Sequence, residues 1–447
     1  MKTFTFDTVI IGSGTSAYYA ARGLQAGGQN VAVVDRQAFG GTCALRGCQP
    51  KKYLVANAEA VANARHLVGK GIVASPETDW PALQALKNEF LDGIPESSFN
   101  GYREVGITPI RGAAHLLDAH TVQVDDSTLK TKHIIIATGS SPRPLDIPGA
   151  ALAGNSDTFL ELPALPQRIV FIGGGYISFE FATVAAQAGS EVTILHRSSQ
   201  PLKAFDPEAV ATLLQATAAS GIRFLPEQSP ASIERSTNGL RIISTSGTVI
   251  EADCVINASG RTPNLNLLDR ASISLQTSAL GIAVNRYLQS PSHPNIYAIG
   301  DVADTGYQLA TVADQAGIVV AENILRGNQS PLELDAVASA VFTIPNLTRV
   351  GLSEAEARAQ GKDFRIRKGS TKNWPSSLRI GETHSFYKIL IENGTDRILG
   401  AQLLRHQAAE VINLFALAIK KNLTVGDLKS VLWAYPTYGS DLKNMIA

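Results

Sequence analysis

The 447-residue chain is poor in sulfur and has no charge excess: 3 cysteines, 2 methionines, and 39 basic side chains balanced by 39 acidic ones. So few cysteines cannot form the disulfide framework of a small secreted domain, and with no paired CxxC knuckles no structural zinc or other resident metal is expected. A formal net charge of zero, with no long Lys/Arg run, provides no electrostatic footprint for a phosphate backbone, so nucleic acid is not expected as a partner. No apolar run approaches the roughly 18 residues that span a bilayer. Val9–Ile11, Ile134–Ala137 and Leu414–Ile419 are the length of core elements, and the chain reads as soluble, without a membrane partner, and cytoplasmic. What is present is a globular composition, 45% hydrophobic and 17% charged, at a length suggesting about three domains.

Thr8-Val9-Ile10-Ile11 reads as a buried parallel strand, and Gly12-Ser13-Gly14-Thr15-Ser16-Ala17 follows it directly, opening an Ala-rich helix to Ala26. This is the GxGxxG/A fingerprint in its proper context: Gly12 and Gly14 let backbone amides approach a pyrophosphate, and Ala17 keeps helix and strand close. A second strand, Val31–Val34, ends in Asp35, placed 23 positions after Gly12, where a carboxylate can accept from an adenosine ribose. The pattern recurs at Arg168–Ile172, Gly173-Gly174-Gly175-Tyr176-Ile177-Ser178, a helix through Ala188 and the strand Val192–Leu195. Here the position of the acid is taken by His196, with Arg197 next and Lys203 shortly after, which favours a 2′-phosphate and hence NADPH over NADH.

Three further apolar strands exit through glycine turns, at Ile134–Gly139, Val255–Asn264 and Ile296–Val302. Cys43 and Cys48 stand five apart in a glycine-flanked segment, close enough for a small-loop disulfide that in a reducing compartment would be catalytic. Cys254, in an apolar run, reads as a buried hydrophobe.

The segment Gly40-Gly41-Thr42-Cys43-Ala44-Leu45-Arg46-Gly47-Cys48-Gln49-Pro50-Lys51-Lys52 matches the redox motif GGTCxxxGCxPxK. With both fingerprints and the three strand exits, it makes the chain closely resemble the FAD-dependent pyridine nucleotide–disulfide oxidoreductases, the group containing glutathione reductase, dihydrolipoamide dehydrogenase and mercuric reductase. The resemblance implies an α/β fold of two Rossmann-like dinucleotide-binding domains and a C-terminal α+β dimerisation domain. It places FAD on residues 1–145 and 261–333, NADPH on 146–260, and dimerisation on 334–447. It further implies FAD contacts at Thr42, Lys52, Ala114, Thr138, Gly139, Asp301 and Ala310, and NADPH contacts at Gly173, Gly175, Tyr176, Glu180, Arg197, Lys203 and Gly260. Cys48 becomes the flavin-facing sulfur and Cys43 the interchange thiol that attacks a small electron acceptor. Lys51 or Lys52 pairs with Glu180. Arg46, Lys51, Lys52 and a helix start should lower both thiol pKa values.

The C-terminus departs from that pattern. Disulfide reductases of this family end in an HxHPTxxE-type segment, whereas here Tyr435 occupies the histidine position and Ser440 the glutamate position. A phenol of unperturbed pKa about 10 cannot replace an imidazole of about 6.5 as a proton acceptor near neutrality. Mercuric reductases also carry a tyrosine there, and Tyr435, Thr437, Leu442 and Lys443 match them, but the C-terminal cysteine pair of those enzymes is missing. The expected protein is a homodimeric NADPH-dependent disulfide reductase with a small acceptor. Its rivals are a diaphorase acting directly from the flavin and a non-catalytic FAD-binding sensor.

Overall fold

The computed structural model describes residues 2–447. It divides into two compact units, one of residues 1–52, 85–143 and 261–334, the other of 53–84, 144–260 and 335–447.

The first unit is built on a seven-stranded sheet. Strands Thr108–Arg111, Val31–Asp35, Lys2–Ile11, Ser127–Ile136 and Ile296–Ala298 run parallel, with Ile11 in register with Val34 and Ile136, and Ile136 with Ala298. This register brings the turns after Ile11, Asp35, Ile136 and Ala298 to one carboxyl edge, where ligands of open α/β sheets bind. Alternate residues face opposite sides, and both sides are covered. Ile10, Val31, Val33 and Ile135 pack under helices Thr15–Ala26 and Ala310–Arg326, while Val9, Ile11, Ala32, Val34 and Ile136 meet Leu116, Val122 and Leu129. The two helices approach closely because Gly23 and Gly317 lie between them; a Cβ at Gly317 would stand 2.2 Å from Ser16 O.

The second unit contains a four-stranded parallel sheet, Arg223–Leu225, Glu191–Leu195, Arg168–Ile172 and Cys254–Asn257, in that order. Helices Tyr176–Gln187 and Pro207–Ala219 cover one face, and the antiparallel strands Pro230–Ser236, Gly239–Ser244 and Val249–Ala252 cover the other. The same unit holds a five-stranded antiparallel sheet with Ile398–Arg405 at its centre. Helix Ala408–Lys420 lies on it through Ala408, Val411, Ile412 and Phe415, the i, i+3, i+4, i+7 stripe of an amphipathic helix. No helix among the described residues is long and apolar enough to cross a membrane.

Candidate active site

The first fingerprint forms as its sequence requires. Gly12 has φ +112°, and a Cβ there would lie 2.1 Å from Ala137 O, so only glycine lets strand Ser127–Ile136 pass beside the turn. Gly14 begins helix Thr15–Ala26 with no side-chain cap, leaving its first amides for an anion. Asp35 accepts from Ser13 N and Oγ at 2.8 and 2.7 Å and from Gln37 N at 2.8 Å, and still has lone pairs for a ribose hydroxyl. This glycine-lined cradle, with an acid at its far end, fits a dinucleotide such as FAD.

The redox segment is seated against the same turn. Gly41 has φ +69°, and a Cβ on it would come 2.4 Å from Gly14 Cα. Cys43 lies in helix Gly41–Arg46 and Cys48 opens helix Cys48–His66, with Gly47 between them. The helices can turn so sharply because Gly47 packs on Thr42, where a Cβ would meet the carbonyl oxygen at 2.9 Å. The two thiol groups are hydrogen-bonded to each other, Cys43 half-buried and Cys48 exposed.

The lowered pKa expected of both thiols does not hold for Cys43. The hydrogen bond with Cys48 pushes its pKa up strongly, and burial, the Cys48 charge and the Asp314 carboxylate push the same way. Arg46, counted on to help, instead donates to Gln37 Oε1. Cys254 is half-buried, its thiol pushed up to about 11 by burial, as a packing cysteine should be.

Of the other expected flavin-side residues, Thr138, Gly139 and Asp301 follow the strand ends on the carboxyl edge. Thr138 Oγ1 donates to Asn264 O at 2.7 Å and Asn264 N to Gly139 O at 2.9 Å, tying two strand exits together. Asp301, in the turn Gly300–Val302, accepts from Ser140 Oγ at 2.9 Å, and Ser140 Oγ accepts from Arg261 Nε at 2.8 Å. Ala310 is the first residue of helix Ala310–Arg326, Ala114 begins the edge strand Ala114–Asp118, and Lys51 and Lys52 are half-buried on the Cys48–His66 helix. Sequence reasoning missed Ser140, Arg261 and the pair Thr15–Asp314, whose hydroxyl-to-carboxylate bond joins the two packed helices.

The second fingerprint repeats the geometry. Gly173 has φ +124° and would place a Cβ 2.3 Å from Ala258 O, and Gly175 begins helix Tyr176–Gln187 with no side-chain cap. Tyr176 and Gly260 (φ +131°) flank that turn in sequence and strand order respectively. His196 does not face outward with its neighbours: its ring lies on Gly174, Nε2 is 3.2 Å from Gln200 O, and burial holds its pKa below the usual value. Arg197 and Lys203 are exposed, and near enough that their charges also lower the His196 pKa. Glu180, buried on the fingerprint helix, accepts from Phe342 N at 2.9 Å.

In the C-terminal segment Tyr435 is 82% exposed before a cis Tyr435–Pro436 bond. Ser440 bonds reciprocally with Thr437, each accepting the other's amide at 3.1 Å. The Asp441 carboxylate accepts from Arg405 Nη2 at 2.7 Å and from Ser376 Oγ at 2.6 Å. Arg405 is fully buried, with the Tyr438 ring 5.2 Å away.

Residues 6–317 match the family described as pyridine nucleotide-disulphide oxidoreductase, and 337–446 match its dimerisation domain. A glutathione reductase from Nostoc sp. is 32% identical, covering 99% of this chain and 100% of its own length. A dihydrolipoyl dehydrogenase from Chlamydia pneumoniae is 34% identical (97% and 95%), and a mercuric reductase from Staphylococcus aureus 33% (98% and 81%). Among solved structures, the HOCl-induced flavoprotein disulfide reductase RclA from Escherichia coli superposes with a TM-score of 0.88 at 27% identity, covering 98% of this chain and 99% of that one. Its Cu(II) complex gives the same score and identity over 99% of each. The chain belongs to the pyridine nucleotide-disulphide oxidoreductases, enzymes whose cofactors are FAD and NAD(P)H.

Proposed function

We propose that the protein is a homodimeric NADPH-dependent disulfide reductase that passes electrons through the Cys43–Cys48 pair to a small acceptor, a disulfide, an oxidant or a metal ion. The observation that carries this reading is the hydrogen-bonded cysteine pair seated on the Gly14 turn. Bound FAD supplies two-electron exchange between NADPH and that pair. In this reading residues 1–145 and 261–333 hold FAD, with Asp35 on the ribose and Asp301 toward the ribityl chain. Residues 146–260 hold NADPH, with Arg197 and Lys203 on the 2′-phosphate. Residues 334–447 dimerise, in keeping with the 95% exposure of Leu432 beside Tyr435.

Cys48 faces the flavin and Cys43 attacks the acceptor. One proton shared between the sulfurs stabilises a single thiolate, and the Asp314 carboxylate opposes a second. Reduction of a disulfide then needs a proton delivered to the departing thiolate. Reduction of two Cu(II) to Cu(I) instead forms the Cys43–Cys48 disulfide and releases the one shared proton to water, needing no proton donor. That chemistry, and the Cu(II) complex of RclA, favour a metal ion as the second reading. NADPH oxidation by the FAD-loaded protein should be followed against oxidised glutathione, small aromatic disulfides, Hg(II), Cu(II) and quinones. Cys43→Ser should abolish turnover with every acceptor used; undiminished turnover would mean that the flavin reduces the acceptor directly, and no NADPH oxidation by the wild type would mean a sensor.

A further inference from the structure

The loop between strand Glu191–Leu195 and helix Pro207–Ala219 carries both Arg197 and Lys203, and it is held at points the proposed chemistry does not use. Leu202 N donates to Gly174 O at 2.9 Å, fastening the loop to the fingerprint turn. Arg349 Nη1 donates to Ala204 O, the carbonyl next to Lys203. Three residues after Lys203, Asp206 caps the following helix by accepting from Glu208 N at 2.9 Å and Ala209 N at 3.3 Å. Asp206 is in turn gripped by Lys388, from strand Phe386–Glu392, at 2.7 Å. Lys388 also reaches Glu208 at 2.8 Å and Glu354 at 3.3 Å, and its side chain is only 4% exposed. Burial works against its charge, but the bonds to Asp206 and Glu208 outweigh it and the pKa is pushed up to about 12.

A buried ammonium shared by three carboxylates is a costly arrangement in a protein interior. Its location suggests what it does. Asp206 stands at the end of the very loop that would receive a phosphate dianion; Glu208 has a second cation in Lys368 at 2.9 Å, but Asp206 has no cation other than Lys388 among the described residues, and without it would repel that dianion and release the loop's anchored end. We infer that Lys388 is a positioning residue for coenzyme choice, neutralising Asp206 and holding the Arg197–Lys203 loop in the shape that accepts a 2′-phosphate. Arg349 shares this role through Ala204. The inference rests on the proposed preference for NADPH.

The test is calorimetric titration of the FAD-loaded, full-length protein with 2′,5′-ADP and with 5′-AMP, which differ in the 2′-phosphate. One uncompensated unit charge roughly 10 Å from a dianion in a half-solvated cleft weakens binding about tenfold. Lys388→Met should therefore weaken 2′,5′-ADP about tenfold and 5′-AMP less than about twofold, and Lys388→Arg should keep the wild-type ratio. Arg349→Met, at a more exposed anchor, should lower the same ratio and covers the case in which Lys388→Met folds poorly. A wild-type preference for 2′,5′-ADP that both methionine variants leave intact, or equal weakening of both ligands, overturns the inference alone. A wild type without that preference overturns the coenzyme reading, and the inference with it.

Discussion

The Arg405–Asp441 pair lends itself to a double-mutant cycle. Arg405 is fully buried, and its Nε and Nη1 have no hydrogen-bond partner among the described residues, so Asp441 and Ser376 take all the hydrogen bonds that the guanidinium makes. Unit charges about 4 Å apart attract by about 4 kcal/mol at an effective dielectric of 20. Arg405→Met leaves an Asp441 whose side chain is 13% exposed and keeps some hydration, so its cost should fall near the low end for a broken buried pair, about 3 kcal/mol. Asp441→Asn strands the cation with no water to replace the carboxylate and should cost about 4 kcal/mol. The double variant should cost about 2–3 kcal/mol less than the sum. Urea unfolding followed by the fluorescence of Trp433, in the same segment, reads these differences. Additivity within about 0.5 kcal/mol would refute the pairing as the source of stability.

Gly41→Ala should abolish FAD retention, measured as the flavin-to-protein absorbance ratio after gel filtration, because the new methyl would stand 2.4 Å from Gly14 Cα at a φ of +69°. Arg197→Ala combined with Lys203→Ala should reduce the NADPH-over-NADH ratio of kcat/KM by at least about tenfold, each lost contact with the phosphate being worth about 1 kcal/mol; comparable wild-type efficiency with NADH would undo the coenzyme reading. Glu382, pushed up by burial although Ser377 and His406 N donate to it, has its proton favoured in the folded state. Its contribution to stability is complete below the unfolded pKa near 4.5 and is lost as pH rises through the higher folded value. Glu382→Gln should remove that part of the pH dependence in denaturation midpoints taken from pH 4 to 8, and an unchanged slope would contradict it.

The two dinucleotide turns were legible in the sequence because their requirements are local: a glycine that must be left-handed, a helix that must start uncapped, a strand two faces deep. Gly12, Gly14, Gly173 and Gly175 sit as their spacing implies. What could not be read were partnerships made across long stretches of chain. Thr15 meets Asp314 because helices Thr15–Ala26 and Ala310–Arg326 pack closely, and Ser140 meets Asp301 because the parallel register aligns the strands before them; no period in the sequence records either. The thiol prediction failed for the same reason. It counted cations next to Cys43 in sequence, while in space Arg46 turns to Gln37 and a carboxylate arrives from helix Ala310–Arg326. His196 is a basic residue type by sequence, but in space its ring lies on Gly174 and burial lowers its pKa.

The bare contact between Gly14 and Gly41 has a consequence for engineering. Where two segments meet backbone to backbone, there is no side chain through which selection could adjust their spacing. The distance from the dithiol to the Gly14 turn is therefore a constant of the scaffold, and variation in acceptor must arise from residues other than these two. Grafting the CxxxxC segment onto another dinucleotide fold would succeed only with Gly41 carried along, since a methyl there would stand 2.4 Å from Gly14 Cα, whereas a Cβ at Gly14 would lie 3.9 Å from Gly41 Cα.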